Sequence, residues 1–120
     1  MFYVKDLMSS PVISVNSQET VETAAKLMIE KKVSSLIVTQ DGANIGIVTQ
    51  TDFVRRILAL GHDSKTTSVG YVMSTPLLVI DQNIDPKEAK EFMLKHNIKH
   101  VLVTAEKKVQ GVLTAKDMMS

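Results

Sequence analysis

The sequence predicts an α+β fold assembled from two α/β-type repeats, and three observations lead there. Displaced by 65 residues the chain matches itself without a gap, Val4 to Arg55 on Val69 to Ser120, with Met8/Met73, Ser9/Ser74, Gly46/Gly111, Thr49/Thr114 and Asp52/Asp117 among the coincident pairs. Within each copy, short β-rich runs bounded by turn residues alternate with stretches whose apolar residues recur at helical spacing. At 120 residues the chain can bury one sizeable core but is too short for two independent domains, so each copy must share its packing with the other. A solenoid needs roughly three or more repeats, so a period present only twice argues for two half-domains packed face to face. The first repeat takes residues 1–61, a linker 62–68 and the second repeat 69–120.

The first copy opens with a short helical turn, Val4 to Met8, which Pro11 stops, favouring an extended path through Val12-Ile13-Ser14-Val15. Thr20 is the expected N-cap of an amphipathic helix, with Glu22 in its first turn and Val21, Ala24, Ala25 and Met28 on the buried face. Val33 to Thr39 and Ile45 to Val48 read as strands joined through Asp41-Gly42, a hairpin signature. Thr51 through Leu60 has helical composition and stops at Gly61, a natural C′ residue. Residues 62–68 are polar and aperiodic, a linker of ordinary length. In the second copy Asp85-Pro86 supplies an N-cap and a first helical residue, with Ala89, Phe92, Met93 and His96 in the stripe. Its strands, His100 to Thr104 and Val109 to Leu113, are joined through Glu106-Lys107-Lys108, which lacks glycine and is expected to turn more loosely. Few residues follow Asp117, so the copies are unequal there.

Composition narrows the function. With 14 basic and 13 acidic side chains the net charge is +1, so nothing global draws the chain to nucleic acid or an anionic membrane. The absence of Cys excludes disulfides, thiolate chemistry and Cys-ligated zinc, and fits a reducing cytoplasm. The opening Met1 to Asp6 lacks a signal peptide's basic start and apolar stretch, and no run approaches the roughly 18 apolar residues of a membrane helix. His62, His96 and His100 have no carboxylate at ligand spacing, so no metal site is assigned. No catalytic residue is assigned either: the chain carries no nucleophile–base pair, His-Glu metal motif or phosphate-transfer loop.

The most specific local signal is Gly-x-x-Thr-x-x-Asp, present as Gly46 to Asp52 and again as Gly111 to Asp117. The glycine lets the strand pass close to another group, and Thr and Asp meet at the strand-to-helix junction. There the carboxylate can accept two hydrogen bonds from a vicinal diol such as a ribose, while the hydroxyl and free backbone N–H groups reach a phosphate. The same carboxylate can equally cap the helix, and the two roles can coexist. Lys99, His100, Arg55, Arg56 and Lys116 are candidates for a phosphate path, each against the alternative of a solvated surface charge.

With these motifs in view, the chain resembles a tandem pair of cystathionine-β-synthase (CBS) domains, a Bateman module. The resemblance rests on Val4-Lys5-Asp6-Leu7-Met8-Ser9-Ser10-Pro11 and Val69-Gly70-Tyr71-Val72-Met73-Ser74-Thr75-Pro76 at the start of each repeat, and on Gly-x-x-Thr-x-x-Asp at its close. It implies two βαββα repeats packed with pseudo-two-fold symmetry, leaving two clefts between them for AMP, ADP, ATP or S-adenosylmethionine. Carried over by position, Asp52 and Asp117 grip ribose hydroxyls, and Thr49 and Thr114 bind ribose or phosphate. Ile13-Ser14-Val15 and Leu78-Val79-Ile80 flank an adenine ring. Val33-Ser34-Ser35 and Ile98-Lys99-His100 complete the walls, with Lys99 and His100 toward phosphate. The family often has proline where this chain has Ile37 and Leu102. The resemblance implies a cytoplasmic regulatory module, not an enzyme, that requires no cofactor, forms a homodimer and acts on an unidentified regulated protein. Two other functions stay open: a ligand-independent dimerisation scaffold whose motif serves folding alone, and nucleic-acid binding through Lys31-Lys32 and Lys107-Lys108.

Overall fold

Each repeat builds a three-stranded sheet from one parallel and one antiparallel pairing. The computed structural model describes residues 2–9 and 12–119, so Pro11 and the helix stop expected of it lie outside the described residues. In the first repeat β1 (Ser14–Asn16) leads into α1 (Val21–Lys31), then β2 (Ser35–Gln40) and β3 (Ala43–Thr49). Strand β2 is central, parallel to β1 and antiparallel to β3. Next come α2 (Gln50–Phe53), a π-helical turn at Val54–Leu58, and α3 (Val69–Val72), which opens the second copy. That copy repeats the plan in β4 (Val79–Asp81), α4 (Pro86–Lys95), β5 (His100–Ala105) and β6 (Lys108–Thr114), again with the middle strand central. The fold is α+β, as the patterning predicts.

The compact units do not follow the repeats. One unit is Ile13–Leu77; the other joins Met1–Val12 to Leu78–Ser120. Each repeat's opening segment therefore docks with the body of the other copy, and it does so bond for bond. Val69 N–H donates to Glu19 O at 2.8 Å, and Gly70 N–H to Ser17 O at 2.8 Å. Val4 N–H and Lys5 N–H make the equivalent bonds to Ile84 O and Gln82 O, both at 3.0 Å. Further along, Ser74 and Ile47 exchange two backbone bonds (2.8 and 3.1 Å), as Ser9 and Val112 do (2.9 and 3.0 Å). The hydrophobic clusters follow the same exchange. Val69 and Val72, both fully buried, join Val21, Ala24, Met28, Leu36, Val38 and Val48 in one cluster. Val4 joins Ala89, Met93, Val101, Val103 and Leu113 in the other.

The linker belongs to this arrangement. Asp63 folds it into a turn, its Oδ1 accepting from Lys65 N–H at 2.9 Å and its carbonyl from the Thr67 hydroxyl at 2.7 Å. Ser64 O and Thr67 O then accept from Glu22 N–H and Val21 N–H. With Thr20 Oγ1 accepting from Thr23 N–H, the free donors at the start of α1 are met without solvent.

The helix and strand assignments follow the expected periodicity with two corrections. His96, placed in the α4 stripe, is exposed at the helix C-terminus, its ring 4.4 Å from that of Phe92. The expectation of a looser second hairpin is also not met. Ala105 pairs with Lys108 around Glu106 and Lys107 at φ 51° and 68°, as Gln40 pairs with Ala43 around Asp41 and Gly42 at φ 51° and 80°. Both hairpins share one register, including an irregularity after Val38 and after Val103. That register leaves two residues for the turn, and a left-handed pair is one of the two arrangements that match the strand twist. Strand pairing thus holds two non-glycine residues in a conformation costing roughly 1–2 kcal/mol each.

Two stability measurements test this account. Val72→Ala removes two methyl groups from a fully buried site and is expected to cost about 2 kcal/mol in a urea titration. Replacing Glu106→Asn together with Lys107→Gly is expected to raise stability by about 1 kcal/mol. The gain should appear in the denaturant midpoint at unchanged slope.

Candidate functional site

The repeated Thr and Asp close each sheet at the same end. Strand β3 finishes at Thr49, paired with Ser35, and Gln50 N–H then donates to Ser34 O at 3.1 Å. At that end of β2's other edge, Ile37 N–H donates to Ile13 O at 3.0 Å. Pairing thus brings Ile13, Ser14, Ser34, Ser35, Thr49 and Asp52 to one sheet end. The second copy does likewise: Thr114 pairs with His100, Ala115 N–H donates to Lys99 O at 3.0 Å, and Leu102 N–H to Leu78 O at 3.4 Å.

Within each corner, Thr and Asp bond to each other. Asp52 N–H donates to Thr49 Oγ1 at 3.2 Å, and Thr49 N–H donates back to Asp52 Oδ2 at 2.8 Å. The Thr49 hydroxyl is also 3.1 Å from Oδ2. This is a capping box, Thr as N-cap and Asp at N3. Thr114 and Asp117 make the same reciprocal pair, at 3.2 and 2.9 Å, over a 3₁₀ turn at Lys116–Met118. The capping reading of Thr-x-x-Asp is therefore realised in both copies. In the first, every bond to the carboxylate from the described residues falls on Oδ2, and Oδ1 of the half-buried Asp52 accepts none from them.

The other candidates divide by where their side chains lie. Val15 and Ile80 are buried in the hydrophobic clusters, and only their backbone can face a ligand. Ile13, Val33, Leu78 and Ile98 are half-buried against the same clusters. Ser14 and Val79 are exposed, Val79 by 46%. Ser34 and His100 are half-buried, Lys99 and Lys116 exposed. Arg56 is committed elsewhere, its guanidinium donating to Val72 O at 2.8 Å and Met73 O at 3.2 Å, whereas Arg55 is exposed. Ile37 and Leu102 are buried.

The part of the motif that sequence reasoning left open is its glycine. A Cβ at Gly46 would lie 2.8 Å from Met73 Sδ and 2.9 Å from Ser74 O; one at Gly111 would lie 2.8 Å from Met8 Sδ and 2.6 Å from Ser9 O. The glycine of one repeat admits the Met-Ser of the other repeat's opening motif. The two motifs are halves of one joint. The family model for the CBS domain matches residues 4–59 and again 69–120. The chain belongs to the CBS-domain family. As a CBS-domain pair it is of a generally regulatory, ligand-binding class. It is 30% identical over 118 residues to the CBS domain-containing protein YhcV of Bacillus subtilis, covering 98% of this chain and 84% of that one. A hexameric CBS-CP12 protein from bloom-forming cyanobacteria superposes with a TM-score of 0.92 at 30% identity, covering 99% of this chain and 70% of that one. Hypoxic Response Protein I, solved with two coordinated zinc ions, matches with a TM-score of 0.78 at 29% identity, over 98% of this chain and 96% of that one. In this CBS pair, no cluster of three or more His, Cys, Asp or Glu suited to a metal ion occurs among the described residues.

Thr49→Val keeps the shape of the side chain and removes the cap acceptor. It is expected to lower stability by about 1 kcal/mol, read from thermal or urea unfolding.

Proposed function

We propose that this CBS pair is a regulatory sensor of adenosine compounds, namely AMP, ADP, ATP or S-adenosylmethionine, bound at the two Thr–Asp corners. The observation that carries the reading is the geometry of Asp52: among the described residues the capping bonds of this half-buried residue use one carboxylate oxygen, and strand pairing brings it to the sheet end that also carries Ser14 and Ile13. A carboxylate held by its own cap is fixed in place before a ligand arrives, which lowers the ordering cost of gripping a ribose diol. The half-buried apolar residues Ile13 and Val33, or Leu78 and Ile98, suit the face of a purine.

The two corners differ in charge. Where the first has Ser34, Ser35 and Thr51, the second has Lys99, His100 and Lys116. The second corner therefore favours ligands with more phosphate, and its exposed Val79 gives a base an apolar contact. Ligand binding would act by shifting the population of one conformation of the module, and so of a regulated protein. Self-association belongs to the same reading. The helical run after Thr49 exposes Val54, Leu58 and Leu60, and the similar CBS-CP12 protein is hexameric. No helix among the described residues is long and apolar enough to cross a membrane, and the lack of Cys suits a reducing cytoplasm. The ligand-independent scaffold is the competing reading, because a capping box accounts for Thr and Asp on folding grounds alone.

Calorimetry and melting shifts with AMP, ADP, ATP and S-adenosylmethionine separate the two. A true ligand at a hundredfold its Kd adds about 2.7 kcal/mol of stability. Asp52→Asn with Asp117→Asn keeps a cap acceptor in each corner, so the unliganded protein should melt nearly as before while affinity falls about tenfold or more. Lys99→Ala with Lys116→Ala should weaken ATP more than AMP, the difference shrinking as salt rises. Unchanged affinity in the double Asn variant, or no binding by any compound at millimolar concentration, would overturn the sensor.

A further inference from the structure

We infer that Met8 and Met73 are sites of reversible oxidation, at which a peroxide loosens the two glycine joints. The chain has no Cys, so its thioethers are the only sulfur open to an oxidant, and the described methionines differ in access. Met28 and Met93 are buried on α1 and α4, 2% and 3% exposed, whereas Met119 is 84% exposed. Met8, Met73 and Met118 are half-buried. Of these three, Met8 and Met73 are the ones seated on a glycine. A Cβ at Gly46 would lie 2.8 Å from Met73 Sδ and 3.2 Å from its Cγ, and one at Gly111 would lie 2.8 and 3.0 Å from the same atoms of Met8. Each of these contacts falls within one compact unit.

The oxidation is a two-electron step. A lone pair of Sδ attacks one oxygen of hydrogen peroxide and the O–O bond breaks; the second oxygen takes the proton released by the first and leaves as water. The sulfur is oxidised and the peroxide reduced. The product is a polar sulfoxide, whose oxygen accepts hydrogen bonds and donates none. The backbone donors of the joints are already taken, Ser74 N–H and Ile47 N–H by each other's carbonyls, and Ser9 N–H and Val112 N–H likewise. Ser74 O and Ser9 O, acceptors themselves, crowd the same glycines. A sulfoxide is therefore disfavoured while the joint is closed. The closed joint is what seats Val69 and Val72, or Val4, in its cluster. This response needs no bound ligand and goes beyond the nucleotide reading.

Treatment of the folded protein with dilute hydrogen peroxide, followed residue by residue by mass spectrometry, is read against melting temperature. Met8 and Met73 should gain oxygen along with Met118 and Met119, while Met28 and Met93 stay reduced, and the parent should then melt about 5 °C lower. Met8→Leu with Met73→Leu keeps the apolar volume of the joints and leaves Met118 and Met119 to oxidise, so peroxide should not shift its melting. Methionine sulfoxide reductases should return the oxidised parent to its starting melting temperature. Equal losses in parent and variant, Met8 and Met73 that stay reduced in the folded protein, or oxidation of Met28 and Met93 at the same rate would overturn the inference. Should the double variant not fold, amide hydrogen exchange of the oxidised parent decides. Exchange at Ile47 and Val112 should rise about tenfold relative to the other amides of β3 and β6, and exchange there that peroxide leaves unchanged would overturn the inference equally.

Discussion

The contact on which most of this structure depends is the seating of a Met-Ser backbone against a glycine on a neighbouring strand. At Gly46 and at Gly111 there is no room for a Cβ, because Ser74 O and Ser9 O lie where it would go. That approach lets Ile47 and Ser74, or Val112 and Ser9, exchange backbone bonds and extend the sheet by a bridge beyond its last strand. It also sets the depth of the valines upstream. Val69 and Val72 on one side and Val4 on the other are fully buried, each worth about 1.5–3 kcal/mol against exposure. The 3₁₀ turn at Val4–Asp6 and α3 are too short to persist alone, and this burial is what holds them.

Much of the fold is legible in the sequence because its signals are local. Asp85-Pro86 starts α4 with Asp85 Oδ1 accepting from Lys87 N–H at 2.7 Å, and Asp41-Gly42 makes the expected hairpin. The exchange of opening segments is not legible, for a definite reason. Both copies carry the same motifs at the same offset, so Met8-Ser9 docked on Gly46 and Met8-Ser9 docked on Gly111 satisfy the sequence pattern equally. Only geometry breaks the degeneracy. The tight turn at Glu106-Lys107 is hidden for the opposite reason: local preference argues against it, and the register of the paired strands overrides that preference.

The candidate site was legible in type and less so in orientation. Thr-x-x-Asp is itself a capping signature, and the structure uses it as one. Alternation along a short strand does not say which face is buried, so Val15 and Ser14 are equal candidates in sequence. In the structure the first lies in the core and the second is exposed. Basic residues are harder still, because a long side chain near a corner has several carbonyls within reach. Arg56 takes the C-terminal carbonyls of α3, a favourable place for a cation.

In the proposed sensor the carboxylate that caps the helix is also the one that binds the ligand. A group that only caps is satisfied in the folded state, and nothing is gained by moving it. Among the described residues Asp52 accepts bonds on one oxygen, so a donor arriving at the other adds an interaction without breaking the cap. The π-helical turn that follows, with Ala59 N–H on Val54 O at 3.0 Å, is a less regular continuation than an α-helix and a common feature of functional sites. It turns Ile57 into the core, leaves Val54 and Leu58 exposed, and sets Arg56 on Val72 and Met73. A single helical run thus starts at the candidate corner, packs Ile57 into the core and holds the exchanged segment through Arg56. That continuity gives a small displacement at Asp52 a defined element to act on.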